Sequence, residues 1–134
     1  MTGRRTTMRM EHVALLVKEP LAVVRWYEQH LGFRVVRSTG APSLTHFLAD
    51  DGGSLVEIYR NDHLLVPDYA SLDPLVLHLA FETADVEADR ARLLAAGAMP
   101  EGDVTVTPFG DRMAMLRDPW GLAIQLAQRA KRMV

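Results

Sequence analysis

The sequence predicts an α+β fold of two similar βαβββ modules. Three observations predict it: a repeated histidine-to-glycine spacing, a repeated Asp/Gly turn, and strands in which one polar residue alternates with apolar neighbours. His12 stands 20 residues before Gly32 (32−12), and His78 stands 19 before Gly97 (97−78). Asp50, Gly53 and Glu57 recur as Asp118, Gly121 and Gln125 at a constant offset of 68 (118−50, 121−53, 125−57). Such agreement is hard to obtain by chance, so Glu11 to Arg60 and Leu77 to Gln128 read as one script used twice.

Each script opens on a strand that carries a histidine and continues into a helix. In the first helix Pro20 suits the opening position, and Val24, Tyr27 and Leu31 recur at helical intervals. Gly32 supplies the left-handed residue that ends it. In the second, Asp85 caps the start, and Glu87 and Asp89 complement the positive end of the helix dipole. Val86, Arg90 and Leu93 share a face, and Gly97 closes the helix. Short strands follow, then Asp50-Asp51-Gly52-Gly53 or Asp118-Pro119-Trp120-Gly121 as the turn into a final strand. The modules therefore run over 10–60 and 75–128, joined by a linker at 61–74 with no repeat partner. Tails at 1–9 and 129–134 flank this one domain.

With 134 residues and 49% hydrophobic content the chain can bury one real core. Fifteen Lys plus Arg against 17 Asp plus Glu, a net of −2, provide no broad cationic face for nucleic acid or anionic lipid. The expected partners are a small-molecule substrate and a second copy of the chain. The absence of cysteine excludes disulfides, thiolate nucleophiles and Cys-type metal sites. Arg4, Arg5 and Arg9 precede no apolar run that would form a signal peptide, and no stretch approaches the roughly 20 apolar residues of a membrane span. A soluble, cytoplasmic protein is the expectation.

Side chains alternate across a sheet, so strand parity says where the polar residues point. His12 opposes Val13, Leu15 and Val17, and Glu57 opposes Val56 and Ile58. His78 opposes Leu77, Leu79 and Phe81, and Gln125 opposes Ile124 and Leu126. All four face away from the helix-covered side, and two curved sheets brought together would turn them into one shared cavity. Two imidazoles, a carboxylate and an amide suit a divalent first-row ion such as zinc, nickel, iron, cobalt or manganese. Four protein donors leave open positions at which a metal can polarise substrate oxygens.

Each of these residues also has a plainer role open to it. A strand histidine can be a hydrogen-bonded structural group, and Glu57 a solvated charge, although burial without a partner would be costly there. Gln125 offers only an uncharged amide oxygen and can equally bind a substrate or water. Arg37 and Tyr59 either line a pocket near the site or serve as a surface ion pair and a packed phenol. His30, His46 and His63 have no repeat counterparts and read as surface or packing residues, and Arg129, Lys131 and Arg132 as a solvated chain end.

Several motifs together resemble one known superfamily. They are Glu11-His12-Val13-Ala14-Leu15-Leu16-Val17, Trp26-Tyr27, Leu31-Gly32-Phe33, Val56-Glu57-Ile58, Leu77-His78-Leu79-Ala80-Phe81, Asp118-Pro119-Trp120-Gly121 and Ile124-Gln125-Leu126. The superfamily is that of the glyoxalases, bleomycin-resistance proteins and ring-cleaving dioxygenases, the vicinal oxygen chelate group, and the likeness covers about Met10 to Gln128. It implies paired βαβββ modules, often completed by a second chain, with His12, Glu57, His78 and Gln125 on the four positions that commonly hold the metal.

Glyoxalase I-like lyases use a His or Gln, a Glu, a His and a Glu, and this chain follows the first three. Gln125 stands where a glutamate is expected, which leaves Glu57 as the only ligand-position carboxylate able to move a proton. The same departure removes the glutamate that completes the facial triad of the iron dioxygenases. Arg37 and Asn61 look like glutathione-contacting positions of short glyoxalases, but Asp62 replaces the tryptophan expected after Asn61.

The function this implies is that of a metal-dependent lyase or isomerase acting on vicinal oxygens through an enediolate, with Glu57 catalytic. An Fe(II) ring-cleaving dioxygenase and a metal-free antibiotic-binding protein are the alternatives. The linker is long enough for modules to pair across two chains, so a homodimer with its sites at the interface is expected.

Overall fold

The computed structural model describes residues 3–134. The elements run β1 (His12–Leu16), α1 (Pro20–Leu31), β2 (Arg34–Ser38), β3 (His46–Ala49) and β4 (Leu55–Tyr59). A 3₁₀ turn at Tyr69–Ser71 follows, then β5 (Leu79–Glu82), α2 (Val86–Ala95), β6 (Met99–Val106), β7 (Arg112–Arg117) and β8 (Ala123–Gln128). The chain divides into two compact units, Met1–Pro67 and Asp68–Val134. Each carries one four-stranded mixed sheet, ordered β1-β4-β3-β2 in the first and β5-β8-β7-β6 in the second. The fold is thus α+β with a repeated strand order, as the sequence predicts. No helix among the described residues is long and apolar enough to cross a membrane.

Local chemistry accounts for the helix ends. Pro20 opens α1, where its missing N–H would lack a partner in any case, and Gly32 ends it at φ 75°. Asp85 caps α2 by accepting from the Ala88 N–H at 3.0 Å. At its other end Ala98 N–H reaches Leu93 O (3.0 Å) and Gly97 N–H reaches Leu94 O (3.2 Å), with Gly97 at φ 105°. That pair of bonds is a Schellman closure, which needs a left-handed residue where Gly97 stands.

Beneath α1 lie Leu15, Leu48, Val56 and Ile58, with Tyr27 fully buried and stacked on Phe33 at 6.1 Å. The second unit packs Val86 and Leu93 of α2 on Ala114, Leu116, Ile124 and Leu126, all buried. Aromatic rings share the first core with aliphatic groups and the second is aliphatic, but β1–β4 and β3–β4 keep the same register as β5–β8 and β7–β8.

The two Asp/Gly turns are hydrogen-bonded alike. Asp50 N–H donates to Ser54 O (3.1 Å), its Oδ1 accepts from Ser54 N (2.9 Å), and Gly53 lies at φ 90°. Asp118 N–H donates to Leu122 O (2.8 Å), its Oδ1 accepts from Leu122 N (3.0 Å), and Gly121 lies at φ 97°. A carboxylate that closes its own turn and a glycine with positive φ are what this hairpin requires.

Two local expectations change. The fifth strand begins at Leu79 rather than Leu77, because Pro74 occupies a turn closed by Val76 N–H on Asp73 O (2.9 Å), and the backbone becomes extended only after His78. The C-terminal basic residues are not simply solvated. Arg129 donates to Asp111 at 3.1 Å and Arg132 pairs with Glu82 at 2.8 Å. The Ala130 N–H first, then the Arg129 hydrogen bond and charge and the Thr107 hydroxyl, hold the Asp111 carboxyl below its ordinary range against the opposing effect of burial.

Candidate functional site

Strand β1 runs parallel to β4, and the register aligns His12 with Leu55 and Ala14 with Glu57. His12 and Glu57 therefore share one sheet face, opposite the one covered by α1. Their side chains meet: His12 Nε2 lies 3.5 Å from Glu57 Oε1, with the imidazole 34% and the carboxylate 21% exposed. The gap is wide for a hydrogen bond. Two donors each about 2.1 Å from one ion lie roughly 3 to 3.5 Å apart, so the spacing fits a shared cation. Phe47, the register partner of Glu57 on β3, sets its ring edge-on to His12 at 5.5 Å and restricts the imidazole's rotation.

The second unit repeats the backbone register, with Gln125 at the Glu57 position. Ala80 aligns with Gln125 on the parallel β5–β8 pair, as Ala14 aligns with Glu57. His78 precedes Ala80 by two residues, as His12 precedes Ala14, but it sits just before its strand. Gln125 is half-buried beside its register partner Met115.

Both imidazoles are anchored through Nδ1. His12 Nδ1 lies 2.9 Å from Glu11 Oε1, and His78 Nδ1 lies 2.7 Å from Pro74 O. A carbonyl can only accept, so the His78 proton sits on Nδ1 and the Nε2 lone pair is left for another partner. The Glu11 carboxylate likewise accepts from His12 Nδ1, the shorter of that ring's two carboxylate contacts.

The remaining predicted residues lie as follows. Arg37 pairs in register with Phe47, hence shares the His12 and Glu57 face, and is exposed. Tyr59 is two residues beyond Glu57 on that face and half-buried. Asn61 follows β4, accepts from His63 N–H at 2.9 Å, and with Pro42, Ser43, Arg60, Asp62 and His63 lines a cavity of about 170 Å³. His46 is on the helix-covered side of β3 with its Nδ1 bound to Leu44 O at 2.7 Å, and His30 packs against Trp26 at 5.3 Å. Both are packing residues.

Among the described residues no three His, Cys, Asp or Glu side chains gather closely enough to hold an ion alone. Each unit by itself offers two donors of the expected kind: an imidazole and a carboxylate in the first, an imidazole and an amide in the second. The sequence reading missed Arg117. It is buried, paired with Glu101, and donates to three backbone carbonyls: Tyr69 O at 3.1 Å, Gly121 O at 3.0 Å and Leu72 O at 2.9 Å. Position 49, its repeat counterpart, is an alanine, and that departure from the repeat is the only sequence signal that marks it.

The chain is similar to several proteins of known structure. A glyoxalase family protein from Enterococcus faecalis is 30% identical over 90% of this chain and 97% of its own, with a TM-score of 0.71. An antibiotic binding protein from a Streptomyces species is 24% identical over 95% of this chain and all of its own, at 0.70. A glyoxalase I mutant from Zea mays is 22% identical over 92% of this chain but 46% of its own, at 0.73. A search of curated proteins finds no significant match. The family model described as Glyoxalase/Bleomycin resistance protein/Dioxygenase superfamily matches residues 9–126. With that match over most of its length, the chain belongs to this superfamily.

Proposed function

We propose that the protein is a metal-dependent lyase or isomerase of the glyoxalase type, acting on a small substrate with vicinal oxygens through an enediolate. His12, Glu57, His78 and Gln125 form the donor set in this reading. The observation that carries it is the matched anchoring of the two histidines. Each imidazole turns its Nδ1 to a carboxylate or carbonyl and leaves Nε2 for another partner, the arrangement that orients metal-binding histidines.

When bound, a divalent ion would polarise the substrate oxygens and offset the charge that develops on them. Glu57 is the group that removes a proton from one carbon and returns it to the next, because it is the only carboxylate in the donor set and is partly shielded from water. Gln125 adds no charge. One carboxylate against a divalent ion would leave about one net positive charge, which would favour an anionic enediolate over the neutral substrate.

Solvent-deuterium exchange into small α-hydroxycarbonyl compounds tests this reading. Exchange at the carbon should require added divalent metal and fall about 10³-fold in Glu57→Gln. Exchange that persists in that variant would reject Glu57 as the proton carrier. A second reading, sequestration of an antibiotic-like compound without metal, draws on the neutral Gln125 and the methionine beside it. Ligand binding that survives chelation, with no exchange, would favour it.

We propose further that the donor set is completed in a homodimer, His12 and Glu57 of one chain joining His78 and Gln125 of its partner. Mixing inactive His12→Ala with inactive His78→Ala should then restore one of the two sites in each mixed dimer, because both lesions fall in the same site. No recovery after proven subunit exchange would assign all four donors to one chain.

A further inference from the structure

We propose that Arg117 is a positioning residue for His78, acting through the segment Tyr69–Pro74. The inference rests on the reading of His78 as a metal ligand.

The segment's own bonds are local: Ser71 N–H and Leu72 N–H close the 3₁₀ turn on Asp68 O and Tyr69 O, and Leu72 itself is extended. Arg117 ties this turn to β7: Nη1 donates to Tyr69 O and Nη2 to Leu72 O, at the two ends of that turn. A planar guanidinium holds such acceptors in fixed relation because its donors form a rigid fork. Glu101 binds Nε and fixes the fork's rotation, and Gly121 O takes a further Nη1 bond.

Two residues past Leu72 stands Pro74, whose carbonyl accepts the Nδ1–H of His78 at 2.7 Å. The intervening turn is closed by Val76 N–H on Asp73 O and by Leu75 N–H on Asp73 Oδ1 at 2.8 Å. The guanidinium holds the 3₁₀ turn by hydrogen bonds, and the backbone runs from Leu72 through the Asp73 turn to the Pro74 carbonyl that holds the imidazole. His12 has no such support, its Nδ1 meeting only the exposed side chain of the adjacent Glu11. The two imidazoles are held by different means, and only His78 depends on a residue 39 positions away (117−78).

The test compares wild type with Arg117→Lys, which keeps the charge and the Glu101 partner but cannot bridge three carbonyls. Imidazole ¹⁵N shifts of the metal-free protein at one alkaline pH report the tautomer, and nickel titration reports affinity. In wild type His78 should be the Nδ1–H form. In Arg117→Lys it should become a mixture of tautomers while His12 is unchanged, and nickel affinity should fall about 10- to 100-fold. If Arg117→Lys does not fold, Glu101→Ala, on a half-exposed edge-strand position, decides in its place, with the same direction expected. A folded variant whose His78 tautomer stays wild type would overturn the proposal. Wild-type protein that binds no nickel would instead overturn the metal reading, and the tautomer comparison would still judge Arg117.

Discussion

Divalent-metal binding should be lost when either His12 or His78 becomes alanine, with the apparent dissociation constant rising at least about 100-fold in each single variant. Each substitution removes an Nε2 donor from the proposed set, and neither His46 nor His30 is placed to replace it. His46 has its own carbonyl partner on the helix-covered side of its sheet, and His30 is packed on Trp26. Calorimetry with nickel or zinc, with circular dichroism to confirm folding, measures the effect. Full occupancy in the double variant would reject the donor set.

The largest loss of stability is expected at Gly121. A Cβ built there would lie 2.6 Å from Ala70 Cβ and 2.8 Å from both Ala70 Cα and N, and the backbone sits at φ 97°. Two of those three neighbours are backbone atoms, so the 3₁₀ turn must shift as a unit and strain its bonds to Arg117. Conformational strain of about 1–2 kcal/mol adds to overpacking of about 1–3 kcal/mol. Gly121→Ala should therefore cost about 2–5 kcal/mol and lower Tm by roughly 10 °C. Gly53→Ala is the internal control. It has nearly the same φ, but the nearest neighbour of its Cβ is the tip of Arg9 at 3.5 Å, so only the conformational cost applies. Equal losses at the two glycines would show that the contact with Ala70 carries no weight.

Those two glycines also mark the limit of what the sequence discloses. Their turns were legible because each is specified within five residues, by an aspartate that bonds its own loop and a glycine at a left-handed position. The helix ends at Pro20, Gly32, Asp85 and Gly97 were legible for the same reason, as was the sheet face of His12 and Glu57, which follows from parity. Arg117 was not. Its partners Tyr69 and Leu72 lie 48 and 45 residues away and use backbone carbonyls, so no side-chain type in the linker announces the bond. The start of β5 was misjudged for a related reason. Leu77 continues the apolar alternation of the strand, but the Asp73–Val76 turn that delays the strand is fixed by the backbone and by one aspartate.

The strands β2 and β6, each last in its sheet, bear on how the protein behaves when concentrated. An exposed edge offers free N–H and C=O groups to any other extended chain, and β2 is exposed at all five positions, valines included. Both strands break register, β2 between Val35 and Arg37 and β6 between Glu101 and Thr105, and such bulges twist an edge so that a flat strand cannot lie along it. Pro100 removes one donor from β6, while Arg34 and Arg37 place positive charge along β2. A second copy of the β2 edge is repelled as it approaches. The irregular strands thereby hinder ribbon-like aggregation, and straightening β2 by deleting its one extra residue, or β6 by deleting its two, would remove that protection without touching the donor residues.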